Sequence, residues 1–483
     1  MIEESVLTAN KFAQEFRGSK KFLTLACFVA SLGGFLFGFD TAVISGTITQ
    51  VQQQFNLTNL QVGDFTSSAL VGCIVGAIIA GWLGDKFGRR PPLICAAVLF
   101  FVSALGCTIP PNYRVLLLAR FVGGVGVGLA SVLSPMYISE FSPPRLRGRL
   151  VALYQLSIVV GILVAYFSNW QIQNFAEHNS QAFSGVGIWH YILVEQGWRG
   201  MFGAGMIPAG LFFLLLFVVP ESPRWLVKAG YENRAKVIIH KLVGSSEVVA
   251  EFNDIKASLV HKPTALTELF KPGLRIALMV GVMLSVFGQM SGVNIVVYYG
   301  PEILKQAGFA IGSALQFQVL FGVVNLIFTI LALFIIDRFG RRPLLIGGMA
   351  MVAAAMLAAS VIQASMEKPG IIMVIVLGIY IASVALSICA VIWVIIPEIY
   401  PTRVRARACS IATFANWGVN AFSAKLFPWY VAKMGMAAGY LTFGIICVIA
   451  VLFFYKFVPE TKCKKLEDIE MLWDNEGNRR RVS

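Results

Sequence analysis

Histidine is almost missing from this chain. His178, His190, His240 and His261 are the four in 483 residues, and all sit in polar connecting stretches, so no histidine can carry a proton across an apolar layer. The eight cysteines form no CxxC pair. Cys27, Cys73, Cys95, Cys107, Cys389, Cys409 and Cys447 lie in apolar runs and Cys463 in a basic tail, which reads as reduced packing residues and not as a zinc site or a disulfide framework. No HExxH and no G-x-S-x-G occurs, and no two acids share the interior of an apolar run, so the chain is not expected to be an enzyme. No cofactor or metal is expected either.

Charge is scarce too. Only 13% of residues are charged and 57% are hydrophobic, with a mean hydropathy of +0.75. Soluble domains carry about 25% charge. The composition therefore specifies a polytopic membrane protein. What charge exists leans basic, 39 Lys and Arg against 25 Asp and Glu. A basic balance can mean a nucleic-acid partner, but these cations gather in short clusters between apolar runs, the pattern of membrane loops. No nucleic-acid partner is expected; the partners are the lipid bilayer and a small solute. Glu3, Glu4 and Glu15 precede the first apolar run and no small-residue cleavage site follows it, so no cleaved signal peptide is expected.

Twelve apolar runs are long enough to cross a bilayer: approximately 22–47, 63–84, 92–110, 114–138, 148–169, 199–219, 275–299, 314–336, 343–365, 371–396, 408–431 and 437–458. Basic clusters follow runs two, four, eight and ten, whereas segment 48–62 has no charge at all. The positive-inside rule then puts both termini in the cytoplasm of a cell-membrane protein. The expected organisation is a cytoplasmic segment 1–21, a six-helix half 22–220, an intracellular helical linker 221–274, a second six-helix half 275–458 and a cytoplasmic tail 459–483.

The two halves repeat one another. GDKFGRRPP at 84–92 returns as IDRFGRRPLL at 336–345, SEFSPPRLRGR at 139–149 as PEIYPTRVRAR at 397–407, and VPESPR at 219–224 as VPETK at 458–462. Three echoes in the same order mean duplicated six-helix units, a transporter architecture with its site near the midplane. Gly88 and Gly340 allow the tight turns. The repeated acids and arginines, Asp85, Arg89, Arg90, Glu140, Arg149, Glu221 and Arg224 with Asp337, Arg341, Arg342, Glu398 and Arg407, are candidates for a cytoplasmic gate. The plainer alternative is topology anchoring, which needs arginines but no acids.

One acid lies well inside a run: Asp40, in GGFLFGFDTAVISG. A carboxylate in hydrocarbon is costly and usually marks a pathway. Arg120, in LLLARFVGG, is the one arginine so placed. Helix geometry puts Asp40 roughly 10 Å and Arg120 roughly 9 Å below the outer surface, so the two can pair. Pairing lowers an acid's pKa and desolvation raises it. The pair is read as a proton-coupling site, with a static ion pair as the alternative.

The duplicated FGRR loops, PESPR, PETK and GQMSGVNIVVYYGPEI together resemble the sugar porter family of the major facilitator superfamily, across nearly the whole chain. GGFLFGFDTAVISG is similar to the first span of its bacterial proton-coupled xylose symporters; facilitative mammalian glucose transporters have Asn where Asp40 stands. The resemblance implies an all-α major facilitator fold, a functional monomer, and a sugar site built from Phe37, Gln155, Gln289, Asn294, Tyr298, Asn325, Trp393, Asn416 and Trp417. Amides both donate and accept, as sugar hydroxyls require, and an indole stacks on an apolar sugar face. A single amide in a membrane helix also serves as interhelical glue. The chain departs from the family at Gly288, where the pattern has a second glutamine, and at Cys389-Ala390, where it has Gly-Pro; the latter is expected to remove a helix break in run ten. Lys425 is a further oddity, expected to snorkel to the outer surface or to meet an acidic substrate group.

The expectation is a proton-coupled symporter importing a monosaccharide, hexose or pentose, or a related polyol by alternating access. A facilitator without coupling is the alternative within the class. A transporter-like sugar sensor would carry a longer signalling tail, and a drug exporter would not need the PESPR, PETK and GQMSGVN set.

Overall fold

A computed structural model describes residues 19–143, 146–179, 187, 190–243, 248–258, 266–271, 274–401 and 404–462. Among them every regular element is helical. The first half holds α1 (Lys20–Val43), α2 (Asn59–Phe87), α3 (Arg90–Thr108), α4 (Tyr113–Phe141), α5 (Arg147–Asn179) and α6 (Gly197–Leu216). The second holds α7 (Leu274–Gln306), α8 (Ile311–Phe339), α9 (Arg341–Ser365), α10 (Ile371–Glu398), α11 (Arg405–Met434) and α12 (Met436–Phe457). Between the halves lie short helices Pro223–Lys228, Glu232–Val243 and Val248–Ser258. Ser19 caps α1 and its amide also bonds the Lys241 carbonyl, which ties the linker to the first half.

Eleven of the twelve helices are long and apolar enough to cross a membrane by length and composition. α11 falls outside that group because it carries Asn416, Asn420, Ser423 and Lys425; its polar stripe faces the interior, where Asn416 and Asn420 are buried. α5 continues to Asn179, ten residues past the end of the apolar run expected at 148–169. One end of the molecule carries the basic turns after α2, α4, α8 and α10 and is called the basic end below; the other is the far end.

The first half is zipped by glycine. Gly72 and Gly76 on α2 face Gly124 and Gly128 on α4 at the small-xxx-small spacing that lets backbones touch. A Cβ on Gly124 would sit 1.9 Å from the Ala69 carbonyl oxygen, and one on Gly72 2.2 Å from that of Phe121. α1 and α5 cross in the same way, with Gly38 against the Ile158 carbonyl and Gly161 against that of Phe35.

The second half is built from interrupted helices. α7 stops at Met290 and restarts at Val293, because Gly292 takes φ +88°, a left-handed conformation that glycine adopts without strain. α10 widens into a π turn over Ala385–Cys389. The break expected to be lost with Gly-Pro is therefore present without either residue. A π turn leaves backbone groups out of register and commonly marks a functional position.

The α1–α5 crossing gives a test. Gly38→Val places a side chain where a Cβ alone meets the Ile158 carbonyl oxygen at 1.9 Å. It is expected to destabilise the purified protein by about 1–3 kcal/mol, the usual cost of overpacking. Gly81→Ala, with nothing within 4 Å, serves as control, and melting temperatures in detergent report both.

Candidate functional site

Asp40 and Arg120 meet. α1 brings the carboxylate and α4 the guanidinium, with Arg120 Nη1 2.8 Å from Asp40 Oδ1. The same nitrogen lies 3.4 Å from the Asp40 carbonyl oxygen, and the guanidinium stands over the Phe202 ring of α6 at 5.4 Å. Arg120 is 2% exposed and its Nε has no partner. Gly123 makes room for the pair: a Cβ there would meet Ser103 Oγ at 2.3 Å and Asp40 Oδ1 at 3.6 Å.

The polar residues of the second half form a separate cluster where α7 is broken. Asn294 donates to Gln289 Oε1 at 2.6 Å, and Gln289 donates to Asn416 Oδ1 at 2.9 Å, joining α7 to α11. One turn further, Asn420 donates to the Tyr298 hydroxyl at 3.1 Å. The Phe37 ring of α1 packs on Trp417 at 5.5 Å and so connects this cluster to the first half. Asn420 was not among the candidates read from sequence; its signal was its position one helical turn after Asn416 on the same face.

Three other sugar-site candidates stand apart from this network. Gln155 is half-buried and bonds no described residue. Asn325 accepts only from Thr329 of its own helix, at 3.5 Å. Trp393 is 44% exposed. Gly288 is enclosed by α10: a Cβ there would lie 2.7 Å from Ile392 Cδ1. Where the family resemblance supplies an amide, this chain has an apolar wall of Ile388 and Ile392.

At the basic end the repeat is exact in its chemistry. Glu221 accepts from the Arg89 and Arg90 amides at 2.9 and 3.1 Å, and Glu460 accepts from the Arg341 and Arg342 amides at 3.1 Å each. Each carboxylate thus seats on the N-terminus of the next helix, α3 or α9, where free amides and the helix dipole favour an anion. Ser222 and Thr461, the next residues, donate to Glu140 and Glu398. Arg89 bonds Glu140 at 2.9 Å, and Arg341 reaches Glu398 at 3.6 Å. Asp85 pairs with Arg89 and with Lys228 of the linker. None of these pairs bridges the two halves. Burial pushes the Glu221 carboxyl up, against the pull of its amide donors. Burial works the same way on Glu460, but four amide donors outweigh it and hold that carboxyl below its ordinary range.

Arg342 bonds the Tyr455 carbonyl at 2.6 Å and Arg90 that of Leu216 at 2.8 Å. Arg149 lies in the first turn of α5. Arg224 and Arg407 form no ion pair with a described residue. The Asp337 side chain lies outside the described residues.

The halves join at the far end. Lys425 does not simply reach for the surface: its ammonium lies 2.8 Å from Asp64 Oδ1 on α2, and its carbonyl oxygen packs on Gly63, where a Cβ would come within 1.9 Å. Thr49, just beyond α1, donates to Glu302 of α7 and lies 3.3 Å from Lys305 Nζ. α5 also packs on α8, with Gly322 against Leu163 and Tyr166.

The family model described as sugar (and other) transporter matches residues 26–473. The arabinose-proton symporter of Bacillus subtilis (strain 168) is 40% identical over 456 residues, 94% of this chain and 96% of that relative. The D-xylose-proton symporter of Escherichia coli (strain K12) is 40% identical over 480 residues, 93% of this chain and 95% of that relative. Among solved structures, the inward open conformation of the xylose transporter XylE from E. coli superposes with a TM-score of 0.79 at 37% identity, covering 94% of this chain and all of that one.

The far-end contacts predict a conformational response. Asp64→Asn removes the ion pair that links α2 to α11. Distances between spin labels placed at the far ends of those helices are expected to lengthen and broaden. An unchanged distribution would show that the pair holds nothing closed.

Proposed function

Since the chain belongs to the sugar (and other) transporter family, we propose that it is a proton-coupled symporter that imports a monosaccharide or related polyol across the cell membrane by alternating access. The observation that carries this reading is the buried Asp40–Arg120 pair. Two relatives that cover more than nine tenths of this chain bear the names of proton symporters for arabinose and xylose. The protein works as a monomer with both termini in the cytoplasm, so the basic end faces inward.

Asp40 takes up the proton. While it is ionised, Arg120 neutralises it. Once it is protonated, a guanidinium 2% exposed is left without an anion, and breaking a buried pair in this way costs about 3–5 kcal/mol. That cost favours rearrangement of α1 against α4 and so a change of state. Sugar binds to the second half: Gln289, Asn294, Asn416 and Tyr298 offer donors and acceptors, and Trp417, Trp393 and Phe37 offer apolar surface. Gln155 from α5 and Asn325 from α8 complete the contacts when the halves close on the solute. The acids and arginines of the basic end, Glu140, Arg89, Arg149, Glu398, Arg341 and Arg407 among them, form charge networks that favour the state open to the outside.

Two measurements test the reading. In reconstituted vesicles with an imposed pH gradient, Asp40→Asn is expected to abolish uphill accumulation yet retain sugar exchange at equal concentrations, because an amide resembles the protonated acid. Arg120→Ala is expected to impair both. If Asp40→Asn still concentrates sugar, the proton passes elsewhere and the assignment to Asp40 falls; if sugar addition moves no protons in the wild type, the protein is a facilitator.

The amide cluster makes a graded prediction about binding. Gln289→Ala leaves two asparagines unmet and is expected to weaken sugar binding by about 1–3 kcal/mol and to lower the melting temperature. Gln155→Ala is expected to weaken binding without that loss of stability, since no described residue depends on it. Tryptophan-quenching titration against hexoses, pentoses and polyols reads both; unaltered affinity in both variants would move the site elsewhere.

A further inference from the structure

Asp40 also faces a small cavity that the sugar site does not share. It lies within the first half, between α1, α3 and α6, and is bounded by Leu36, Phe39, Asp40, Phe100, Ser103 and Phe202. None of the amides of α7 or α11 lines it. Its position is fixed by the ion pair. Arg120 takes Asp40 Oδ1 from the α4 side, and no described residue donates to the other carboxylate oxygen. Arg120 is 2% exposed, but Asp40 keeps 17% of its side chain exposed, so one side of the carboxylate is sealed by the cation and the other is open to this space.

The cavity has room for a water molecule, and a water in such a site needs two or more polar partners. The Asp40 carboxylate and the Ser103 hydroxyl supply them on facing helices. Gly123 lets the two approach: the point its Cβ would occupy is 2.3 Å from Ser103 Oγ and 3.6 Å from Asp40 Oδ1. Gly205 forms part of the wall, with the Phe39 ring 3.2 Å from the place of its Cβ. The remaining walls are apolar. The charged and titratable groups that face Asp40 are Arg120 from α4, Cys73 from α2 and Cys107 from α3. α5 and α6 present none among the described residues.

We propose that this cavity is a water site that delivers the coupling proton to Asp40 through the first half, by a route separate from the sugar cavity. The proposal rests on Asp40 being the proton acceptor. A hydronium in the cavity transfers its proton to the free carboxylate oxygen of Asp40. A neutral water stays hydrogen-bonded to Ser103, and Arg120 loses its counter-ion. The bound sugar takes no part in the transfer, so proton entry does not require the central cavity to be empty.

Two variants and two readouts test this. Ala104→Val adds volume at the cavity wall; Ser103→Ala removes the second polar partner with almost no change in shape. Radiolytic hydroxyl labelling of the wild-type protein in vesicles reports water beside Phe39, Phe100 and Phe202, which are otherwise buried. These rings are expected to be labelled in the wild type and protected in Ala104→Val. Both variants are expected to lose proton-driven sugar accumulation and to keep sugar exchange at equal concentrations. Absence of labelling in the wild type overturns the water site. Protection in Ala104→Val with full accumulation overturns the route. If the wild type itself shows no proton movement, the symport reading fails, and the labelling still decides whether the cavity holds water.

Discussion

A carboxylate and a guanidinium held together inside an apolar bundle constrain everything around them. Either charge alone would be costly to bury there; each is offset by the other, 2.8 Å away. Keeping that distance demands that α1 and α4 hold position, and the glycine contacts of the first half meet the demand. α2 and α4 touch backbone to backbone through four glycines, and α1 locks on α5 through Gly38 and Gly161. A bundle packed on main chain has few ways to shift by small amounts.

The second half answers with the opposite construction. α7 is interrupted at Gly292 and α10 by a π turn, and its binding groups are neutral amides. Neutral groups can be re-aimed in a low-dielectric interior at far smaller cost than charges. The first half bears the buried ion pair, and the second bears the amide cluster where α7 is broken. Gly288 belongs to the same logic. Ile388 and Ile392 fill the space beside it, so the wall of the site changes from polar to apolar where the chain departs from its family resemblance.

Twelve helices, two halves and the pairing of Asp40 with Arg120 were legible because hydropathy, repetition and helix rise are local properties of the sequence. The meaning of PESPR and PETK was only half legible. Glu221 was visible as a gate candidate and Glu460 was missed, and that both seat on the amides of α3 and α9 depends on tertiary placement. The π turn in α10 was illegible, since the sequence around Ala385–Cys389 carries neither glycine nor proline. Lys425 was misread for a related reason. An isolated lysine near a helix end looks like a snorkelling residue until Asp64, more than three hundred positions earlier, is brought beside it.

The charged contacts that join the halves at the far end are all partly open to solvent: Asp64 and Lys425 are 39% and 51% exposed in their side chains, Glu302 and Lys305 27% and 32%. The basic-end pairs described above are instead internal to one half or to its linker. Dissolved ions therefore act unequally on the two faces. At physiological ionic strength charges are screened over about 8 Å, and raising the salt on the far side alone weakens the attraction between the halves while leaving each half intact. The contact between the halves is in this sense sensitive to the brine at one face of the protein more than at the other.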